Sequence, residues 1–472
     1  MDTNVYTHSK QLNLPGDTPR PNVSFPIKSI LMDNIDFIRD LDASGKARPC
    51  VLDNVEKLLL CGSIYLGYDV YECPSCKNEI IVPHRCHSRL CSSCGTKYAQ
   101  ILSANVSAFA INVYHRHIVF TIPKELRIFF LKDRKLLNLL FVAVRNTICA
   151  LFNKSLFLKI KHREKKYHTK HPNSFYLYKN YKDTWDFGMI ASLHTFGRDL
   201  KWNPHIHALV PELAFHPIKD KIKSFHHFDY KKMRLTFQFE LLRLLEDALG
   251  PSFKSLKNKL YQDKSHGFYV YAKSKYDKSS DDEDDTDYSD DINGVLKYCI
   301  RYAARPAMAE SRIDDYLPHA DLIQWHFDDH KDNQRHSVVD TAHDFIKKLI
   351  IHIPDTHFKM IRFYGFYANA ASKKLDRVHE LLDDLKHSKI KHSRKYRKKK
   401  KYHAHCRLRF RSLKIDTFHI DPIQCRCGEI MIYAETYDPL RGKHNDRCYR
   451  ENCINEMQRL RARRKSSFMG SG

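Results

Sequence analysis

Two tyrosines of this 472-residue chain lie four residues apart, and each is followed three residues later by an arginine: Tyr298 and Arg301, then Tyr302 and Arg305. Residues i and i+4 of a helix share one face, so a helix here would point both phenols at one place. Phenols beside guanidinium groups suit nucleophilic attack on a phosphate, because the phenol can form an ester while the guanidiniums hold charged oxygens. Aromatic residues at this spacing also pack on hydrophobic cores. The pattern alone therefore leaves both roles open.

Histidine pairs are a second source of chemistry. The chain has 29 histidines and contains three H-x-H pairs, His115/His117, His205/His207 and His403/His405. The second pair opens an alternating strand, where residues i and i+2 face the same side and can reach one metal ion. A preceding strand that ends at His194 could add a third ligand, whereas His115/His117 also adjoins a strand and is a rival pair. Such a site would leave positions for a phosphate oxygen.

The N-terminal part of the chain contains two C-x-x-C motifs with fourteen residues between them, Cys73/Cys76 and Cys91/Cys94. A structural zinc ion takes four soft ligands in a tetrahedron, and each tight turn supplies two. We therefore predict that Cys73, Cys76, Cys91 and Cys94 bind one structural zinc. Three further candidates lie in this region, namely Cys61, Cys86 and His87. Of these, Cys86 could replace one member of the quartet or join a second metal.

A weaker cysteine cluster lies near the C-terminus and comprises Cys425, Cys427, Cys448 and Cys453. A C-x-C motif is a poorer metal-binding turn than C-x-x-C. The sequence leaves open whether this cluster binds a second zinc.

Composition limits the partners that the chain can have. With 80 Lys and Arg against 55 Asp and Glu, the formal charge is +25 and the pI is about 9.4, which favours a polyanion such as nucleic acid. We see no signal-peptide pattern and no stretch that reads as a membrane-spanning helix, so we expect a cytoplasmic protein with no membrane partner. In a reducing compartment, the 14 cysteines are better explained as metal ligands than as disulfides.

The patterns of apolar residues predict the elements that must position these groups. They favour helices over 27–42, 135–153 and 230–249, and strands over 117–123, 188–194 and 205–210. An acidic run, 281–291, has eight carboxylates in eleven positions and is interpreted as a solvated linker, with a bound divalent ion as the alternative. A basic run, 386–401, has ten Lys or Arg in sixteen positions and suits contact with phosphates, or merely solubility.

Taken in order, these segments resemble the rolling-circle transposases of the HUH endonuclease superfamily, of the two-tyrosine type (the insertion sequence ninety-one family). The resemblance runs from about residue 34 to about residue 435. It rests on the cysteine-rich module from Cys61 to Cys94 and on the stretches HRHIVFTIPKEL, LHTFGRDLKWNPHIHALV, LKYCIRYAARPAMAESRI, FIKKLIIHIP, RFYGFYAN and IDPIQCRCGEIM. The order of several motifs makes this likeness more specific than any one of them.

The resemblance implies roles for particular residues. It assigns a divalent ion, Mg²⁺ or Mn²⁺, to His205 and His207, with His194 as our candidate third ligand. It assigns the nucleophiles to Tyr298 and Tyr302. The implied fold class is α+β, with an antiparallel-sheet HUH endonuclease domain, an N-terminal cysteine-rich zinc-binding module and a basic C-terminal region. The tyrosine helix would lie across the metal.

We divide the chain accordingly into an N-terminal tail and helix (1–46), a zinc-binding module (47–104), an HUH domain (105–312) with the acidic run as an insertion, and a basic DNA-binding region (313–472). The chain departs from the family in two ways. The family's C-terminal C-x-x-C motif is C-x-C here, and the acidic run precedes the tyrosines directly.

The implied function is a DNA transposase that nicks and rejoins single-stranded DNA through a 5′-phosphotyrosine. Its partners would be single-stranded or hairpin DNA at the element's ends and target DNA, with no small-molecule substrate. Its cofactors would be the divalent ion and structural Zn²⁺, and its location the bacterial nucleoid. A plasmid replication initiator or relaxase would use the same chemistry, and a non-catalytic zinc-ribbon nucleic-acid-binding protein is the alternative from another class.

Overall fold

The structure is a computed structural model that describes residues 26–153, 184–272, 306–329, 332–388, 423–439 and 442–444. The α-helices of these residues are α1 (Pro26–Asp33), α2 (Ile35–Ala43), α3 (Pro49–Leu59), α4 (Ser92–Phe109), α5 (Lys124–Lys132), α6 (Leu137–Phe152), α7 (Tyr230–Leu249), α8 (Lys254–Asp263), α9 (Ala342–Ile350) and α10 (Ser372–Ser388). The strands are β1 (Tyr68–Glu72), β2 (Glu79–Pro83), β3 (His115–Thr121), β4 (Asp186–Phe196), β5 (Trp202–Pro211), β6 (Leu213–His216), β7 (Lys221–Ser224), β8 (Val270–Ala272), β9 (Ile313–Leu317), β10 (Leu322–Asp329), β11 (Gln334–Thr341), β12 (Ile361–Gly365), β13 (Ile432–Asp438) and β14 (Gly442–His444). Helices combined with antiparallel sheets confirm the predicted α+β class.

The largest sheet has seven strands in the order β7-β6-β4-β5-β3-β8, with β12 also paired to β4. Every pairing in it is antiparallel. The central strands β4 and β5 are the two strands that the sequence predicts around the histidines. Their register sets His194 directly opposite His205.

One face of this sheet packs against α5, α6 and α7. Ile118 and Phe120 of β3 and Ile206 and Ala208 of β5 are fully buried in this core. Because successive side chains of a strand alternate between faces, the residues between them point to the opposite face. His117, His205 and His207 therefore lie on the side of the sheet away from α6.

The helical stretch Arg134–Phe152 is long and apolar enough to cross a membrane, and 72% of that window is buried inside the protein. Its buried side chains belong to the core beneath the large sheet. Burial against a sheet explains the apolar character of this stretch.

The opposite face of the sheet is covered in part by α4 and α10. Val106 of α4 and Val378 of α10 are fully buried with Ile190 of β4 and Leu209 of β5. Helix α4 thus lies on the histidine-bearing face, and its N-terminal end carries the last two cysteines of the zinc-binding module.

The N-terminal helices pack with a second sheet, in which β9, β10 and β11 are antiparallel. Trp325 of β10 lies in one core with residues of α1, α3 and α9. The predicted helix over 27–42 is divided into α1 and α2 at Asn34, whose φ of −115° and ψ of 26° depart from helical values. An asparagine that donates to Ile30 O, here at 2.9 Å, competes with the helical hydrogen-bond ladder.

A third, small sheet has the order β14-β13-β1-β2. It pairs a strand of the cysteine-rich region, β1, with β13 from the C-terminal region. Likewise β12 joins the large sheet through β4. Both pairings connect segments on either side of the division that we predict at 312/313.

Candidate active site and metal centres

The predicted nucleophiles and their arginines, Tyr298, Tyr302, Arg301 and Arg305, lie outside the described residues, as does the acidic run 281–291. The chain is described again from Pro306, whose ring lies against Gly95 in the first turn of α4. Ala307 and Met308 follow and are buried in the N-terminal core. The segment that carries the tyrosines therefore ends at the N-terminal end of the helix that covers the histidine face.

Three histidines meet on this face of the large sheet. One ring nitrogen of each of His194, His205 and His207 lies within 4.8 Å of the others. The ring centroids are 4.4 Å apart for His194 and His207 and 4.9 Å apart for His205 and His207. The structure thus brings together the three residues that the sequence selects as metal ligands, from two adjacent strands.

Burial favours the neutral form of two of these imidazoles. It lowers the pKa of His205 to about 4, an effect to which the nearby charge of Arg127 adds, and it lowers the pKa of His207 well below its ordinary value. A neutral imidazole carries a lone pair for a metal ion. Three imidazole nitrogens are donors that divalent transition ions accept, whereas Mg²⁺ prefers oxygen ligands.

Neighbouring groups fix the orientation of two of the rings. Nδ1 of His205 is 2.7 Å from the carbonyl oxygen of Asn203 and must donate to it, so Nε2 keeps its lone pair. Nδ1 of His207 is 2.8 Å from Nε2 of His117. The two rings stack with an interplanar angle of 12°. Such outer contacts commonly set the tautomer of a metal-binding histidine.

The two members of the rival histidine pair, His115 and His117, have different contacts in the structure. His115 is buried, with Nδ1 2.8 Å from the oxygen of Val113 and Nε2 2.7 Å from the hydroxyl of Tyr367, which the amide of Ile111 also contacts. His117, in contrast, contacts a proposed ligand. Its place beside His207 depends on β3 pairing with β5, which residue spacing does not reveal. His403 and His405 lie outside the described residues.

Eight of the ten described cysteines form two quartets. One comprises Cys61, Cys86, Cys91 and Cys94, and the other comprises Cys73, Cys76, Cys425 and Cys427. The four ligands that we predict for one zinc, Cys73, Cys76, Cys91 and Cys94, are therefore not brought together: each C-x-x-C motif joins two other cysteines. Spacing shows that a motif can supply two ligands, but only the path of the chain decides which motifs meet. Of the remaining candidates, His87 belongs to neither quartet, and Cys448 and Cys453 lie outside the described residues.

The first quartet lies at the N-terminal end of α4. Cys91 is the residue before the helix and Cys94 is in its first turn. The Sγ of Cys94 is 3.7 Å from those of Cys61 and Cys86. Thiolates around a tetrahedral zinc, with Zn–S of about 2.3 Å, lie about 3.8 Å apart. Four protein ligands leave no open position, so this cluster suits a structural zinc that anchors α4.

Comparison with known proteins agrees with both kinds of site. Residues 35–122 match the family model described as "Transposase zinc-binding domain", and residues 188–374 match the one described as "Putative transposase". The first model spans the Cys61 quartet, and the second spans all three clustered histidines and the tyrosine segment.

Two relatives extend these matches over most of the chain. The chain is 26% identical over 439 residues to "Transposase for insertion sequence element IS801" of Pseudomonas savastanoi pv. phaseolicola, which covers 89% of this chain and 90% of the relative. It is 23% identical over 341 residues to "Putative transposase y4qJ" of Sinorhizobium fredii (strain NBRC 101917 / NGR234), which covers 68% of this chain and 76% of that relative. No solved structure matches. With a zinc-binding domain and a transposase domain matched in this order, the chain belongs to the IS91 family of transposases.

Proposed function

We propose that this transposase nicks and rejoins single-stranded DNA through a 5′-phosphotyrosine, with Tyr298 and Tyr302 as nucleophiles. The observation that carries the proposal is the cluster of His194, His205 and His207 on one face of the sheet. A largely buried site of three imidazoles is suited to hold a divalent ion with positions left for a phosphate.

The described ends of the tyrosine segment support its approach to this site. Before the tyrosines, the chain is last described at Ala272 of β8, which pairs with Ile118 of β3, the residue after His117. The segment returns at Pro306, against α4. Both ends therefore attach to elements that border the histidine face, which supports a tyrosine helix on that side.

In the proposed reaction, the phenolic oxygen of one tyrosine attacks the scissile phosphorus. A Tyr–O–P bond forms, the P–O3′ bond breaks, the phenol loses its proton, and the 3′-oxygen leaves and gains one. The ester keeps the energy of the broken bond, so a 3′-hydroxyl can reverse the step and rejoin DNA without another energy source. A free phenol has a pKa of about 10, and a bound divalent ion would polarise the phosphate and stabilise the charge that develops.

Cationic side chains of the chain would position the DNA. Arg301 and Arg305 are our candidates beside the tyrosines. Arg127 of α5 is close enough to His205 to lower its pKa, and its Nε is buried without a hydrogen-bond partner among the described residues. A guanidinium with spare donors beside a metal site is suited to a phosphate oxygen.

The overall charge of +25 supports DNA as the partner. We propose single-stranded or hairpin DNA at the element's ends as the substrate, target DNA as the acceptor, and the bacterial nucleoid as the place of action. Relatives named as transposases favour this function over that of a plasmid replication initiator or relaxase.

A covalent-adduct assay tests the mechanism. Labelled single strands copied from the DNA on each side of the gene are incubated with the protein and Mn²⁺ or Mg²⁺, and the products are separated under denaturing conditions. We expect a protein–DNA adduct that requires the divalent ion and is lost when both Tyr298→Phe and Tyr302→Phe are introduced. Tyr269→Phe, at a tyrosine that is 57% exposed, is the matched control and should keep the adduct.

An adduct that persists in the double variant would overturn the assignment of the nucleophiles. A wild-type protein that binds these strands but forms no adduct would support the non-catalytic alternative. An adduct with plasmid-origin strands alone would support an initiator or relaxase.

A further inference from the structure

We propose that Cys73, Cys76, Cys425 and Cys427 bind a second structural zinc ion, which joins the N-terminal module to the C-terminal strands. The matched zinc-binding domain covers residues 35–122 and so contains only half of this quartet. The other half lies about 350 residues further along the chain, since the Sγ contact between Cys76 and Cys425 spans 349 positions.

The sulfur geometry fits a tetrahedral site. The Sγ atoms of Cys73 and Cys427 are 3.6 Å apart, those of Cys76 and Cys427 are 3.7 Å apart, and those of Cys76 and Cys425 are 3.3 Å apart. These separations approach the value of about 3.8 Å expected around zinc. They are far longer than a disulfide bond of about 2.05 Å, and all four thiols are free.

The two turns that supply the ligands have equivalent backbone hydrogen bonds. In the first, the amide of Lys77 donates to Cys73 O at 3.1 Å and the amide of Cys73 donates to Asn78 O at 2.8 Å. In the second, the amide of Gly428 donates to Cys425 O at 2.9 Å and that of Cys425 donates to Glu429 O at 2.8 Å.

Each bond of the second turn spans one residue fewer, which matches the single residue lost between C-x-x-C and C-x-C. Both turns end in the left-handed region, with φ of 62° at Lys77 and 86° at Gly428. Glycine adopts this conformation without a steric cost. The C-x-C motif is thus a shortened form of the same metal-binding turn, which explains how it can take the place of the family's C-x-x-C.

The hydrophobic core beneath the quartet is small. It contains Tyr71, Met431 and Tyr433 beside the buried cysteines. The sheet around it has four strands of three to seven residues. Small modules of this kind usually need a metal ion or disulfides for stability.

The site has a consequence for the basic run 386–401. The chain leaves α10 at Ser388 and is described again from Ile423, two residues before Cys425. A zinc ion at the second quartet fixes the returning end to the N-terminal module. The described parts of the chain on both sides of the basic run are therefore held to the rest of the protein.

Metal content of the full-length protein tests the proposal without reference to activity. We expect two zinc ions per chain, one for each quartet. Cys425→Ser with Cys427→Ser should lower the content to one, and Cys61→Ser with Cys86→Ser should do the same. Cys448→Ser with Cys453→Ser is the matched control from the same region and should keep two. Two zinc ions in the Cys425/Cys427 variant, or one in the wild type, would overturn the proposal.

A cleavage experiment tests the joining role in a protein whose cysteines are all unchanged. A specific protease site is inserted between residues 389 and 422, and the cut protein is analysed by size-exclusion chromatography. The C-terminal fragment should stay with the rest of the protein and be released by a zinc chelator. A fragment that remains bound in the zinc-free protein would show that pairing of β1 with β13 suffices, which contradicts the joining role.

Discussion

The histidine cluster and the cysteine quartets are built in opposite ways. The histidines come from adjacent strands, β4 and β5, whose pairing places the rings on one face. Each quartet combines turns from separate segments and fills all four metal positions with thiols. A site that a sheet already holds can keep positions open for substrate, whereas a closed site serves to hold segments together.

The difference predicts that loss of a thiol destabilises the protein while loss of an imidazole removes activity. Cys91→Ser should remove one zinc and lower the free energy of unfolding by about 4 kcal/mol or more, because the metal's binding energy is also folding energy. Metal analysis and denaturant unfolding measure both effects. Cys50→Ser, at a cysteine outside both quartets, is the control. Unchanged unfolding in Cys91→Ser would contradict the structural role.

Removal of a histidine ligand should have the reverse effect. His207→Ala is expected to lower the rate of adduct formation about 100-fold or more, because a proposed metal ligand is lost, while zinc content stays at the wild-type value. Single-turnover assays with labelled strands give the rate. The exposed His266 provides a control variant, His266→Ala, which should react at the wild-type rate. A His207→Ala protein that loses zinc instead would erase the distinction between the two kinds of site.

A buried histidine outside the cluster provides a pH test. Burial lowers the pKa of His352 to about 4. The ordinary pKa is about 6.5, so the unfolded chain takes up this proton first. The contribution of neutral His352 to the free energy of unfolding is therefore fully present above about pH 6.5 and is lost as the pH falls towards 4.

Between pH 7 and pH 5, His352 should account for about 2 kcal/mol of this loss. His352→Gln should reduce the pH dependence by that amount, measured by denaturant unfolding at both pH values. An equal slope in wild type and variant would show that His352 does not remain neutral in the folded protein.

The smallest expected effect is at His117, which contacts His207 without belonging to the clustered ligands. His117→Ala should weaken Mn²⁺ binding about 10-fold, in keeping with the usual effect of outer-shell partners. His117→Asn, which keeps a hydrogen-bonding group, should recover part of the affinity. Calorimetric titration with Mn²⁺ of protein that retains its structural zinc measures both. Equal Mn²⁺ affinity in all three proteins would show that His117 has only a packing role.

Local pattern was sufficient for much of the fold. The apolar periodicity predicts α6, α7, β4 and β5, because amphipathic spacing reflects which face is buried. Two-residue spacing on a strand made His205 and His207 candidates but left His115 and His117 as a rival pair, and the family resemblance assigned the metal to His205 and His207 with His194 as the candidate third ligand. The break at Asn34 was not predicted, because apolar residues continue at helical spacing across it.

The sequence by itself determined the kinds of site: imidazoles spaced for one face of a sheet, thiols spaced for tight metal-binding turns, and a charge suited to DNA. Only the tertiary structure decided which groups meet. It separated Cys73 and Cys76 from Cys91 and Cys94, paired the former with Cys425 and Cys427, and divided the roles of His115 and His117. The physical reason is that spacing controls neighbours within a turn or strand, whereas contacts between distant segments depend on sheet order and core packing.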